Sequence, residues 1–179
     1  MKKEKPPFVD MWVTFESKKW IEKYLKRDHI GFEFGSGMST IYLGMKTKHL
    51  ISIEHRLEWY RKIRKRLRAR NMTNVMLLYE PWIREYYKTL AWCKPASLDY
   101  VFLDGVYEAR NTCVKWSWPR LKQGGILIFD NSDHDMFNPG FKYMDSHKGK
   151  RLDFYGQGRN PMNGKIRDKK WMTSIWVKG

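Results

Sequence analysis

The run Ile30-Gly31-Phe32-Glu33-Phe34 breaks at Gly35-Ser36-Gly37, and a helical pattern opens behind it at Met38-Ser39-Thr40. A strand that turns sharply into a helix needs glycine, because the backbone passes close to a ligand with no Cβ in the way. The new helix presents unpaired N–H groups, and Ser39 or Thr40 is suited to cap them. Such a turn cradles a nucleotide-like ligand. Glu33 narrows the choice, since a carboxylate repels a pyrophosphate and tolerates a cationic group. The plain alternative for a glycine pair after a strand is a tight turn and nothing more.

The flanking pattern supports the ligand-binding reading. Residues 16–27 read as a helix, 30–34 as the strand before the turn, 39–46 as the helix after it, and 49–53 as a second strand ending at Glu54. Residues 56–70 form a basic helix whose apolar stripe is Leu57, Tyr60, Ile63 and Leu67. A strand at 75–79, a helix at 82–92, a buried strand at 98–103, a helix from 107 to about 119 and a strand at 126–129 follow. This alternation predicts an α/β fold, a doubly wound and mostly parallel Rossmann-like sheet. Beyond Asp130, residues 132–150 read as a polar loop on the substrate side, with Pro139-Gly140 marking a turn. Residues 151–155 and 171–177 then read as two strands with no helix between them, which predicts antiparallel pairing.

A chain of 179 residues is expected to form one domain over 1–179, with 1–13 as an N-terminal segment. Its 42% hydrophobic and 16% aromatic content excludes a disordered chain. No apolar run approaches the ~20 residues of a membrane span, so a soluble protein is expected. The start, with Lys2, Lys3 and Lys5 before Pro6-Pro7, has no apolar segment behind it and predicts no secretory signal. Cys93 and Cys113 lack metal or disulfide spacing and read as thiols in a reducing compartment, so a cytoplasmic location is expected. The net charge of +16 suits nucleic acid, an anionic membrane surface or an acidic substrate as partner. It is equally the charge of a plain solubilising surface.

In an open α/β sheet, ligands bind beyond the carboxyl ends of the strands. Those ends carry Glu33 through Gly37, Glu54, Glu80, Asp104 and Asp130-Asn131. Glu54 stands about 20 residues after the glycine turn, where an acid accepts bonds from ribose hydroxyls. Its alternative is a solvated acid paired with His55 or Arg56.

Glu33-Phe34-Gly35-Ser36-Gly37, Ile53-Glu54, Asp99-Tyr100-Val101-Phe102-Leu103-Asp104-Gly105 and Gly124-Gly125-Ile126-Leu127-Ile128-Phe129-Asp130-Asn131 occur in the order seen in class I S-adenosylmethionine-dependent methyltransferases. The sequence most resembles the small O-methyltransferase branch, the catechol O-methyltransferase-like enzymes, over roughly residues 14–131 and again at 171–177. The resemblance implies a seven-stranded sheet whose last strand runs antiparallel. It implies that Gly35, Ser36 and Gly37 pass under the methionine part of S-adenosyl-L-methionine, with Glu33 and Asp104 beside the cofactor and Ser39 at its carboxylate. Glu54 would hold the ribose, and His55 with Glu80 and Trp82 would border the adenine. Asp104, Asp130 and Asn131 match positions that bind Mg²⁺ in that branch, where a hard ion finds oxygen ligands.

One position departs from the branch. Where those enzymes carry a lysine base three residues after the first metal acid, this chain has Tyr107. A tyrosine with a pKa near ~10 is a poorer base at neutral pH. His134, in the Asp133-His134-Asp135 stretch, is the substitute general base, with a merely solvated histidine as its alternative. Among nine tryptophans, Trp12 and Trp82 are the candidates to cover a ligand, against plain packing.

The expected activity is methyl transfer from S-adenosylmethionine to an oxygen of a small molecule or sugar. A nucleic-acid-directed methyltransferase, served by the basic surface, and a catalytically silent S-adenosylmethionine-binding protein are the alternatives. Thr40 in place of a third glycine, the acid at Glu33 and the lack of a substrate domain speak against a nicotinamide-dependent oxidoreductase.

Overall fold

In the two central strands β4 (Leu98–Leu103) and β5 (Leu121–Asp130), side chains alternate between two buried faces. Tyr100, Phe102, Ile126 and Ile128 pack into one hydrophobic cluster, and Val101, Leu103, Leu127 and Phe129 into another. Apolar residues at every position of 100–103 and 126–129 mean that both faces of the sheet are covered there, as in parallel sheets wrapped by helices. The computed structural model describes residues 9–179; the basic start at 1–7 lies outside them.

The seven-stranded sheet has the order β3-β2-β1-β4-β5-β7-β6. Strands β1 (Ile30–Phe34), β2 (His49–Glu54), β3 (Val75–Tyr79), β4 and β5 run parallel. Strand β7 (Trp171–Lys178) pairs antiparallel with both β5 and β6 (Gly149–Gly156). Helices α1 (Phe15–Tyr24), α2 (Met38–Lys46) and α3 (Leu57–Arg68) contribute Ile21, Leu43 and Ile63 to the clusters on one face. Helices α4 (Ile83–Lys88), α5 (Tyr107–Ser117) and α6 (Asn138–Asp145) contribute Tyr86, Val114 and Phe141 to the other. The doubly wound sheet with antiparallel strands at its end is the fold that the sequence predicts. Strand order reverses between β1 and β4, which fixes where a ligand cleft opens.

Two expectations change. Residues 132–150 are not a loop: they hold a short 3₁₀ turn, Asp135–Phe137, and then α6. Pro139 sits in the first turn of α6, where a missing N–H costs nothing, so the proline–glycine pair opens a helix and does not mark a turn. A Cβ at Gly140 would stand 2.8 Å from Asn111 Oδ1, so glycine lets α6 approach α5. On α3, Leu57 is exposed; Ile63 and Leu67 are buried, and Trp59 packs with them in its place.

Candidate active site

The β1–α2 turn is built around Gly35, whose φ of +87° is one that side chains rarely adopt. A Cβ there would also meet the Asp104 carbonyl oxygen at 2.6 Å. Gly37 is extended, and a Cβ on it would meet only Ser39, with Oγ nearest at 3.4 Å, so the space above it is open. Thr40 occupies the third-glycine position and puts its side chain to use. Its hydroxyl accepts the Gly37 N–H at 2.8 Å and donates to Glu33 Oε2 at 2.5 Å. Ser52 donates to the same oxygen at 2.5 Å and lies 2.7 Å from the Ser36 hydroxyl.

Glu33 is therefore a buried anchor under the turn and not part of the cleft wall, which corrects its expected place beside the ligand. Burial pushes its carboxyl up to about 7, against the pull of the surrounding hydroxyls. Its Oε1 has no hydrogen-bond partner among the described residues.

Above the turn lies a cleft of about 530 Å³ at the carboxyl ends of β1, β2, β4 and β5. It brings together Gly35, Ser36, Gly37, Ser39, Glu54, His55, Asp104, Tyr107 and Asn131 from the predicted set. Glu54 is buried; it accepts the Ser36 N–H at 3.0 Å and the Arg56 N–H at 2.8 Å. These bonds tie the end of β2 to the glycine turn. His55 Nδ1 lies 3.1 Å from Glu54 Oε1 without hydrogen-bond alignment.

Trp82 is 72% exposed at the start of α4 and, like Glu80, lies outside the cleft, which corrects its expected place at the adenine. The wall beyond Glu54 is made instead by His55, Arg56 and Trp59, whose indole N–H donates to the Ser36 carbonyl. Trp12 lines the cleft. Pro161 and Met162, from the segment between β6 and β7, line it too. That segment has no recognisable motif, so nothing in the sequence marks it.

At the ends of β4 and β5 the expected magnesium set meets an unexpected cation. Arg110, on α5, is 1% exposed. Its Nη2 donates to Asp104 Oδ1 at 3.1 Å, its Nη1 to the Asp130 carbonyl at 2.6 Å and its Nε to the Gly105 carbonyl at 3.0 Å. Asp130 Oδ1 is occupied by the Trp171 indole N–H at 2.9 Å and the Thr173 hydroxyl at 2.6 Å. Asp130 is itself absent from the cleft lining.

One oxygen of each carboxylate is committed to the protein, Asp130 Oδ1 to two donors and Asp104 Oδ1 to a fixed guanidinium, which leaves a poor donor set for a hard dication. The residues present do not fit Mg²⁺, which corrects the metal role expected for Asp104, Asp130 and Asn131. Among the described residues no group of three His, Cys, Asp or Glu side chains is placed to hold a metal ion. Burial raises both carboxyls, Asp104 also raises Asp130, and Arg110 opposes the shift in each. The sequence did carry a signal for Arg110. It falls in the helical stripe Arg110, Cys113, Val114 and Ser117, an arginine on an otherwise inward-facing side.

The two candidate bases stand at the rim. The Tyr107 ring lies 5.6 Å from that of His134 and 5.5 Å from that of Phe137. Burial raises the Tyr107 hydroxyl, with Arg110 opposing, so even less of it is phenolate at neutral pH than for free tyrosine. His134 is exposed and borders a separate, smaller depression together with Asp133 and Asp135. Neither is set up as a proton acceptor inside the cleft.

On the flank of the cleft, α3 carries Arg61, Lys62, Arg64, Lys65, Arg66 and Arg68, none in an ion pair among the described residues. Burial and neighbouring Arg66 lower Lys62, and burial and Arg70 lower Arg66, as expected of crowded cations.

A glycine turn with open space above Gly37, a buried strand-end acid at Glu54 and a cleft thus meet at the switch point of the sheet. A family model described as a methyltransferase domain matches residues 32–132, more than half of the chain. The chain belongs to this methyltransferase family. No curated protein matches the sequence.

Among solved structures, precorrin-6y C5,15-methyltransferase from Geobacter metallireducens is 14% identical with a TM-score of 0.72, covering 100% of this chain and 97% of that one. An O-methyltransferase from Bacillus cereus, in complex with SAH, is 13% identical with a TM-score of 0.68, covering 96% and 84%. An rRNA methylase from Streptococcus thermophilus is 14% identical with a TM-score of 0.66, covering 91% and 94%. At such identities the likeness is one of fold.

Proposed function

We propose that this chain binds S-adenosylmethionine in the cleft and transfers its methyl group to an oxygen of a small molecule or sugar, in the manner of the small O-methyltransferases. The observation that carries the reading is the pairing of open backbone at Gly37 with the buried carboxylate of Glu54 across one cleft. Gly35, Ser36 and Gly37 would lie under the methionine part, Ser39 at its carboxylate and Glu54 at the ribose hydroxyls. His55 and Trp59 would flank the adenine, and Asp104, Tyr107 and Asn131 the transferred methyl group.

The sulfonium methyl is already activated, so the protein's task is to hold the acceptor in line with the C–S bond and to keep water out. Trp12, Pro161 and Met162 over the cleft serve that exclusion. We treat residues 1–179 as one methyltransferase-like domain, since all seven strands share a sheet. Two buried free cysteines suit the reducing conditions of the cytoplasm. No helix among the described residues is long and apolar enough to cross a membrane.

Calorimetry tests the cofactor. S-adenosylhomocysteine should bind and NAD should not, and failure of S-adenosylhomocysteine to bind would overturn the reading. Label transfer from methyl-labelled S-adenosylmethionine into a fractionated small-molecule extract then identifies the acceptor. The unpaired cations of α3 favour one second reading, a nucleic-acid acceptor, which label in the RNA fraction would establish.

A further inference from the structure

We infer that the guanidinium of Arg110 takes the place of a divalent cation at the ends of β4 and β5, and that methyl transfer by this chain runs without a metal. The inference deepens the methyltransferase reading, and its binding test can be read independently of that reading.

Arg110 joins the strand ends through three different acceptors: the Gly105 carbonyl, the Asp104 carboxylate and the Asp130 carbonyl. A metal ion would bridge the same two strand ends by drawing oxygens to about 2.0–2.1 Å. Here a planar cation draws them by hydrogen bonds instead, and its fork fixes direction as well as charge.

The guanidinium cannot step aside by losing its proton, because arginine stays charged in proteins. Nor can it swing away. Its carbon lies 4.4 Å from the ring centre of Tyr107, 5.4 Å from that of Phe137 and 5.6 Å from that of Phe129, and these rings enclose it. A dication brought to Asp104 would meet this fixed positive charge at close range, and the two cations would repel each other. Asp130 Oδ1 is meanwhile taken by Trp171 and Thr173, and Asp130 does not line the cleft. The site is thus already supplied with its cation.

Arg110 acts as a positioning residue. Asp104 remains one-third exposed on the cleft wall, with one oxygen bonded to Arg110. Held so, its carboxylate can accept a hydrogen bond from the acceptor hydroxyl and orient it. In the transfer itself the C–S bond breaks with its electron pair returning to sulfur, the methyl carbon bonds to the acceptor oxygen, and the hydroxyl proton leaves by way of the Asp104 carboxylate to the solvent outside the cleft. No oxidant or reductant is required.

The decisive test is Mn²⁺ binding followed by electron paramagnetic resonance on the full chain, with and without S-adenosylhomocysteine. The inference expects the free-ion spectrum at all protein concentrations, and label transfer into the small-molecule extract that is the same in excess EDTA as in Mg²⁺. A saturable Mn²⁺ site that Mg²⁺ displaces and Asp104→Asn abolishes would overturn it.

Arg110→Lys keeps the charge and loses the fork. It should lower transfer about tenfold or more while S-adenosylhomocysteine affinity stays within about twofold of wild type. Unchanged transfer in that variant would refute the positioning role. If the variant does not fold, the Mn²⁺ result on the wild type decides. If S-adenosylhomocysteine does not bind, the functional reading fails, while the Mn²⁺ spectrum still reports on the cation site.

Discussion

The Thr40 hydroxyl donates to Glu33 Oε2 at 2.5 Å, so the acid of the glycine turn faces inward beneath α2 and away from the cleft. Burial raises this carboxyl from 4.5 to about 7, which makes folding stability depend on pH. Below pH 4.5 the group is protonated in folded and unfolded chains alike. Between 4.5 and about 7 the unfolded chain gives up a proton that the folded chain keeps, so stability falls as pH rises through that window. The loss is of order 3 kcal/mol and is complete above it. Glu33→Gln should remove it. Urea unfolding should then show the variant gaining on the wild type from pH 5 to pH 8, and parallel pH profiles would exonerate Glu33.

The two glycines of the turn should fail differently. Gly35→Ala combines a positive φ with a Cβ 2.6 Å from a carbonyl oxygen, and should cost ~1–3 kcal/mol of stability or more. Gly37→Ala meets nothing closer than 3.4 Å and should melt like the wild type. Its methyl group enters the space assigned to the ligand, so S-adenosylhomocysteine affinity should fall at least about tenfold, near ~1.4 kcal/mol. Wild-type affinity in Gly37→Ala would show that the ligand crosses elsewhere.

Glu54→Gln should weaken S-adenosylhomocysteine by ~1–3 kcal/mol, through loss of charge-assisted bonds to the ribose. Calorimetry on the variant measures this directly. A smaller change would assign Glu54 only to its backbone partners, the N–H groups of Ser36 and Arg56.

Reversing Arg64, Lys65 and Arg68 to glutamate together should leave S-adenosylhomocysteine affinity unchanged, because all three are exposed and outside the cleft. With a small acceptor, the wild type should bind RNA only weakly and lose it near physiological salt. Tight, salt-resistant RNA binding that the triple variant abolishes would move the acceptor from a small hydroxyl compound to nucleic acid.

Much of this architecture is written locally. Strands β1, β3 and β4 have the bounds that their apolar runs predict, because turn residues close each run on both sides. The burial of Glu33 needed one more step. A period of two places it opposite Phe32 and Phe34, yet only the interior position of β1 in the sheet reveals that this second face is also covered. Arg110 was visible as a charge in a buried stripe, but its partners come from two other strand ends, which no local pattern brings together. Pro161 and Met162 reach the cleft through sheet order alone.

Strand β7 is the last strand in chain order, yet it sits between β5 and β6 in the sheet. During synthesis, β5 therefore waits with an open edge until residues 171–178 emerge, and β6 has no neighbour to join. Asp130 waits with it, since Trp171 and Thr173 are the donors that occupy its Oδ1. An acid in need of donors and an apolar edge are both exposed on the nascent chain during that interval, a state prone to misassociation. Until residues 171–178 dock, that edge is the part of the sheet most open to wrong pairing.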